Sequence, residues 1–225
     1  MSSLARAFAL CSLVLAALPK AAGAQAGDVR WADPAAQKAA LALARRAFDA
    51  YAQRREVINP PQPLPALFQS PAAVFVSAMK PDGSPRCCMG SLYPTQPNAA
   101  EEIIASAVAA AGHDRRFPPL RPAELPRLTL IVSFVARPRP ITAAEAAHLD
   151  PVREGLAVQN GDRWGVVLSG ETARPANLAL WGRIRAGAGP RNSVQWFAIR
   201  DVRMKESPAK GPLTQETATA KETDR

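Results

Sequence analysis

The chain reads as an α+β protein in which antiparallel hairpins are interleaved with single helices. Two observations predict this. The β-rich segments come as hairpin pairs, one around Pro81-Asp82-Gly83-Ser84 and one around Asn160-Gly161. Both turns have a mechanism: Pro presets φ in the first, Gly accepts positive φ in both, and Asn-Gly is the strongest short hairpin signal. The helical segments fall between the hairpins without the regular βαβ alternation of a doubly wound sheet. A length of 225 residues, 48% of them apolar and 21% charged, suffices for a sizeable core in one or two domains.

Taken in order, Met1 to Arg6 form a short positive segment, Ala7 to Leu18 an apolar run, and Pro19 to Ala26 a small-residue end. This is the pattern of a cleaved export signal, with Ala22-Gly23-Ala24 and Ala24-Gln25-Ala26 as cleavage options, so residues 1–26 are expected to be removed. An uncleaved anchor is the competing reading, but the apolar run is short for a permanent span. The expectation is a periplasmic or secreted protein with no membrane anchor after cleavage. Cys11 leaves with the signal.

Residues 27–33 are expected to be a linker. Asp33-Pro34 then starts a helix, Asp as N-cap and Pro at the first position, and Ala35 to Arg55 continues it with Leu41, Ala44, Phe48 and Tyr51 as an apolar stripe. The four prolines between Asn59 and Pro65 make an extended connector. Ala72–Lys80 and Arg86–Leu92 are the strands of the first hairpin, and Asn98 caps a helix with Glu101 in the capping-box position. That helix buries Ile103, Ile104, Ala107, Val108 and Ala111 and stops at Gly112.

A loop His113–Leu120, a short turn at Pro122–Leu125 and a strand Leu128–Ala136 follow, then a brief helix Thr142–Leu149 with Thr142 and Glu145 as its box. The second hairpin comprises Gly155–Gln159 and Trp164–Leu168. A helix Ala176–Arg185 carries Leu178, Trp181 and Ile184 on one side, and Ser193–Val202 is a final single strand. Residues 207–225 lack an apolar stripe and are expected to form a disordered tail.

The formal charge is +9, and loss of Arg6 and Lys20 with residues 1–26 leaves +7. There is no polybasic run and no nucleic-acid module, so a solvated basic surface is expected rather than nucleic-acid binding. No P-loop, dinucleotide fingerprint or Gly-x-Ser-x-Gly frame occurs. His113 and His148 are the only histidines, neither spaced to the cysteines as a zinc ligand, so no metal and no cofactor is expected.

The stretch richest in chemistry is Pro85-Arg86-Cys87-Cys88-Met89-Gly90-Ser91-Leu92. Strand alternation predicts that Arg86, Cys88 and Gly90 share one face while Cys87 and Met89 share the other. On that reading Arg86 lowers the pKa of Cys88, as a nucleophile requires, and Cys87 is core packing. Whether Cys88 also only packs is open at this point. Adjacent cysteines in a strand point apart, so a bridge between them is not expected. Arg115, Arg116 and Phe117 with two prolines read either as a rigid rim able to take a carboxylate or phosphate, or as a pinned loop with solvated arginines.

Together these segments resemble the AMMECR domain family. The family's Leu-Arg-Gly-Cys-Ile-Gly strand motif corresponds to Pro85–Gly90, followed by Glu101-Glu102-Ile103, Arg116-Phe117-Pro118-Pro119-Leu120, Glu124-Leu125-Pro126 and Val132-Ser133-Phe134-Val135. The likeness covers residues 34–206. It departs at Pro85 and Cys87, which stand for Leu and Gly, and at Leu168-Ser169-Gly170-Glu171, where the family has Leu-Pro-Gln. The resemblance implies antiparallel sheet flanked by helices in two subdomains, the Cys motif lining a groove between them. It implies no established activity. Family members look like partners of a Memo-type metalloprotein and a radical SAM protein, which an exported member would not meet. The functional expectation is an exported binding module for a small molecule or protein, with Arg86, Cys88, Gly90, Arg116 and Phe117 at its groove. The alternative is a thiol-dependent enzyme with Cys88 as nucleophile.

Overall fold

The computed structural model describes residues 29–207. The expected export signal (1–26), the first residues of the expected linker, and all of the expected tail but Ser207 lie outside the described residues. Within the expected linker, Trp31 is 1% exposed and stacks on Phe134 at 3.6 Å, so core packing begins upstream of the first helix.

Helix α1 spans Pro34–Arg54 with the Asp33 carboxylate accepting from Ala36 N at 3.0 Å, as the sequence signal implies. Its buried face is richer in alanine than expected: Ala40, Ala44 and Ala47 flank Leu43 and Phe48, while Leu41 and Tyr51 are half-buried. The partner is α2, Ala99–Gly112, which buries Ala99, Ala100, Ala107, Ala110 and Ala111 beside Ile103 and Ile104. Small side chains on both helices let the backbones approach closely.

These two helices cover one face of a four-stranded antiparallel sheet made of β1 (Ala73–Met79), β2 (Pro85–Gly90), β3 (Thr129–Val135) and β8 (Asp201–Lys205), in the order β2-β1-β3-β8. A second antiparallel sheet has the order β4-β7-β5-β6, from β4 (Arg139–Ile141), β5 (Gly155–Asn160), β6 (Arg163–Val167) and β7 (Gln195–Ile199). Its outer face is covered by α3 (Ala143–Ala146) and α4 (Pro175–Arg185). Between the sheets, Ala73, Phe75, Leu92 and Val135 of the first meet Ala157, Leu168 and Ile199 of the second.

Four expectations need correction. The final β segment is two strands, not one: the chain leaves β7 at Ile199, passes Arg200 and enters β8 in the other sheet. Strand β4 was not expected, because Pro138 and Pro140 argue against a ladder; it is a three-residue edge strand, where proline is tolerated. The second hairpin turns at Gly161-Asp162, with Asn160 pairing Arg163, and Gly161 alone of the two takes positive φ, +60°. On α4 the buried residues are Leu178 and Gly182, whereas Ile184 is 64% exposed, because the helix faces the sheet with its Leu178–Gly182 side.

Among the described residues no helix is long and apolar enough to cross a membrane.

Candidate functional site

An open cleft of about 1030 Å³ is bounded by β1, β2 and the following loop on one side and by β6, α4 and Glu171 on the other. The residues singled out in the sequence divide around it. Cys88, Gly90 and Arg116 line the cleft; Arg86 and Phe117 do not.

The reason is a β-bulge. Ala78 pairs with Cys87 and Met79 with Pro85, so Arg86 is an extra residue with no partner on β1. The bulge breaks the alternation that would have put Arg86 beside Cys88. Arg86 is 6% exposed, donating to Glu124 Oε2 at 2.8 Å and to Pro118 O at 3.0 Å. Its guanidinium lies 6.0 Å from the Phe117 ring, and Arg116 lies 5.6 Å from the same ring. Arg86 and Phe117 therefore hold the 113–120 loop against the sheet.

Cys88 sits on the open edge of β2, where an unpaired N–H and C=O would be exposed. The loop covers both. Asp114 Oδ2 accepts from Cys88 N at 2.9 Å, and Arg116 Nη2 donates to Cys88 O at 2.9 Å. Arg116 also forks onto Asp114 through Nε (2.9 Å) and Nη2 (2.7 Å). Burial pushes the Asp114 carboxyl up, but the Arg116 side chain and the N–H groups of Cys88 and Arg116 more than reverse this, leaving its pKa below the ordinary value. Arg115 is exposed.

The Cys88 side chain is half-buried and both described cysteines are free thiols. Burial raises the Cys88 pKa; a hydrogen bond with the Ser77 side chain opposes it, Glu171 adds to it, and Arg116 and Arg185 oppose it. The net direction is up, and Arg86, turned to Glu124 and Pro118, is not among its main causes, which overturns the expected activation by Arg86. Cys87 faces the helix-covered core at 1% exposure, as expected, and burial pushes its thiol up to about 12.

Gly90 has a steric reason. A Cβ there would lie 2.2 Å from Val74 O and 2.5 Å from Phe75 Cα, so no side chain fits. The loop after it is tied down by Glu102, 2% exposed, which accepts from Ser91 Oγ (2.8 Å), Thr95 N (2.7 Å), Thr95 Oγ1 (3.1 Å) and Gln96 N (2.8 Å).

Sequence reasoning missed the opposite wall and the β8 end of the near one. Trp164 of β6 and Trp181 of α4 line the cleft, as do Glu171, Arg185 and Arg203. Arg185 donates to Glu171 Oε2 at 2.8 Å and to Val166 O, closing the edge of β6. Arg203 Nη1 donates to Ser169 O at 2.7 Å. The alternation Asp201-Val202-Arg203-Met204 contained a signal, since Met204 and Val202 pack into the helix-covered core and so turn Asp201 and Arg203 to the other face. Neither histidine lines the cleft: His113 Nε2 meets Tyr51 Oη at 3.1 Å and His148 Nδ1 meets Ala144 O at 2.8 Å. The described residues contain no cluster of three or more His, Cys, Asp or Glu side chains able to hold a metal.

The sequence profile of the AMMECR1 family matches residues 41–173. A protein of Thermotoga maritima is 40% identical over 124 residues, 55% of this chain and 70% of that one. A protein of Thermococcus gammatolerans is 35% identical over 133 residues, 56% of this chain and 64% of its own length. The crystal structure of an uncharacterised protein from Pyrococcus horikoshii superposes with a TM-score of 0.71 at 24% identity, covering 80% of this chain and 96% of that one, a likeness of fold alone. By the extent of the profile match, the chain belongs to the AMMECR1 family.

Proposed function

We propose that this protein is an exported binding module whose ligand occupies the cleft beside Cys88, in a groove between two subdomains each built on one sheet. The carrying observation is the cleft itself: large, open, walled mainly by apolar and aromatic side chains, with a few converging polar groups. That is the ordinary make-up of a small-molecule or peptide site. The residues 1–26 support export through their charged, apolar and small-residue segments.

A role for Cys88 as nucleophile draws less support. The Ser77 hydrogen bond and the two guanidiniums favour a thiolate, but burial outweighs them and no histidine is in the cleft to act as base. Cys88 serves instead as part of the floor.

Two measurements test the reading. Soaking crystals with a library of small aromatic fragments should place most bound fragments against Cys88, Trp164 and Trp181; fragments gathering elsewhere would remove the cleft from consideration. The intact mass of the protein recovered from its host should correspond to a chain beginning near residue 25 or 27. A mass that includes Met1 refutes the cleaved signal.

A further inference from the structure

The charges of the cleft lining are unevenly paired. Three arginines reach it: Arg116, Arg185 and Arg203. Arg116 is forked onto Asp114 and Arg185 is paired with Glu171, each at 2.7–2.8 Å. Arg203 has no carboxylate within ion-pair distance among the described residues. Among the described residues its single hydrogen bond runs from Nη1 to Ser169 O, leaving Nε and Nη2 without partners there. Asp201, two residues away on the same face of β8, directs Oδ1 to Ser169 N at 3.2 Å instead.

The register fixes where that guanidinium stands. Gly90, Phe75, Ser133 and Arg203 are consecutive cross-strand partners and so form one row on the inner face of the first sheet. The row crosses three strand spacings, about 14 Å from the Gly90 backbone to that of Arg203. Its middle is Phe75, which is 8% exposed and reaches the cleft floor, and Ser133, which is 1% exposed, lies beneath the lining and has a hydroxyl with no hydrogen-bond partner among the described residues. The opposite wall supplies an aromatic ring. Trp164 is held edge-on by Tyr93 at 6.4 Å and tilted on Phe197 at 5.1 Å, with Trp181 alongside in the lining.

Resting on the cleft reading above, we propose that the ligand class is an organic anion with a flat apolar body: the ring system lies between Phe75 and Trp164, and its carboxylate or sulfonate takes the free Nε and Nη2 of Arg203. A planar fork suits a bidentate acid group, and a cation set beside apolar walls loses competing water. The pairing of Arg116 and Arg185 leaves them as walls of the site, not as rival heads.

The experiment compares three probes of one shape on the full chain: 2-naphthoate, 2-naphthamide and 2-naphthylmethylammonium, followed by calorimetry and by the indole N–H resonances of Trp164 and Trp181. Naphthoate should bind roughly tenfold tighter than the amide, about 1.4 kcal/mol, and the ammonium weakest. Arg203→Gln should bring naphthoate to the level of the amide while leaving the amide unchanged. Arg203→Lys, which keeps the charge and a donor for Ser169 O, should retain part of the preference and guards against a folding defect in the glutamine variant. Equal affinities for acid and amide, a preference that survives Arg203→Gln, or no binding by any probe overturns the anionic class. In the first two cases the cleft reading stands as long as the Trp164 and Trp181 signals move. If probes bind without moving either signal, and bind Trp181→Ala equally well, the cleft reading falls and this proposal falls with it.

Discussion

Cys88 carries two separable properties. Its backbone belongs to the scaffold, with Asp114 and Arg116 completing the edge of β2, and its side chain belongs to the cleft. The motif alone suggested an activated thiol, but activation needs a stabilised thiolate, and burial works against one. An acid whose pKa is raised is less ionised at any given pH, so Cys88 should be a poorer nucleophile at neutral pH than free cysteine. Alkylation of the native protein by iodoacetamide, followed against pH, should give a single reactive thiol with a midpoint above the free-thiol value of ~8.5. Ser77→Ala, which removes a contact favouring the thiolate, should move the midpoint further up. Cys87, buried in the helix-covered core with a thiol pushed up to about 12, should react only after unfolding. A midpoint below ~8.5 for Cys88 would revive the nucleophile.

At the scale of elements, the loop 91–96 shows what a buried carboxylate can organise. Glu102 reaches from α2 to four donors in Ser91, Thr95 and Gln96, and so fixes the chain that carries Leu92 and Tyr93 into the cleft. Glu102→Gln replaces one acceptor oxygen with an NH₂ that faces donors, and should destabilise by about 1.5–3 kcal/mol, the range for hydrogen bonds to a charged group. Chemical denaturation reads the loss, and amide exchange should quicken at Thr95 and Gln96 before it does in β1. Glu102 was visible in the sequence as the second acid of a helix start and as part of the Glu-Glu-Ile motif, but its bonding role was not; its partners lie before the helix and declare nothing by themselves. The same contrast runs through the fold. Caps at Asp33, Asn98 and Thr142 were legible because a cap is closed within three residues. The bulge at Arg86 and the break at Arg200 were not. Each is set by a partner strand, β1 in one case and two different sheets in the other; Pro85 beside the bulge fits a plain strand start equally well, and no Gly or Pro adjoins Arg200. The cleft half on β2 could therefore be read, while the half on β6, α4 and β8 depended on long-range pairing.

For the whole molecule, the two sheets are joined at one polar point as well as through Phe75, Val135, Leu168 and Ile199. Asp201 and Arg203 of β8 take the N–H and C=O of Ser169, the residue that follows β6 and Leu168. The cost of this link is a carboxylate in a mostly closed setting. Burial raises the Asp201 pKa, and the Ser169 N–H, Arg203 and the Ser133 side chain only partly offset it. Ser133 is near enough to favour the ion slightly, yet its Oγ and Asp201 Oδ2 are both buried without a hydrogen bond at bonding distance. For an acid whose pKa is higher folded than unfolded, the folded state binds more protons. Stability from this group is therefore present below the unfolded value of ~3.9 and declines as pH rises through the folded value. Asp114, with its pKa lowered, acts in the opposite sense, and its stabilisation is lost as pH falls. Asp201→Asn separates the two. An amide can keep its oxygen on Ser169 N and turn its NH₂ toward Ser133 Oγ, removing a buried charge and pairing an orphan hydroxyl. The variant should be more stable than the parent at pH 7, by about 1 kcal/mol, the scale of one buried hydrogen bond, and the gain should shrink toward zero near pH ~3, where both proteins are neutral at this site. Denaturant midpoints measured across that range decide it. A loss at pH 7 that disappears in acid would mean that the Asp201 charge is needed to hold Arg203, and that the junction of the sheets is an ion pair in function if not in distance.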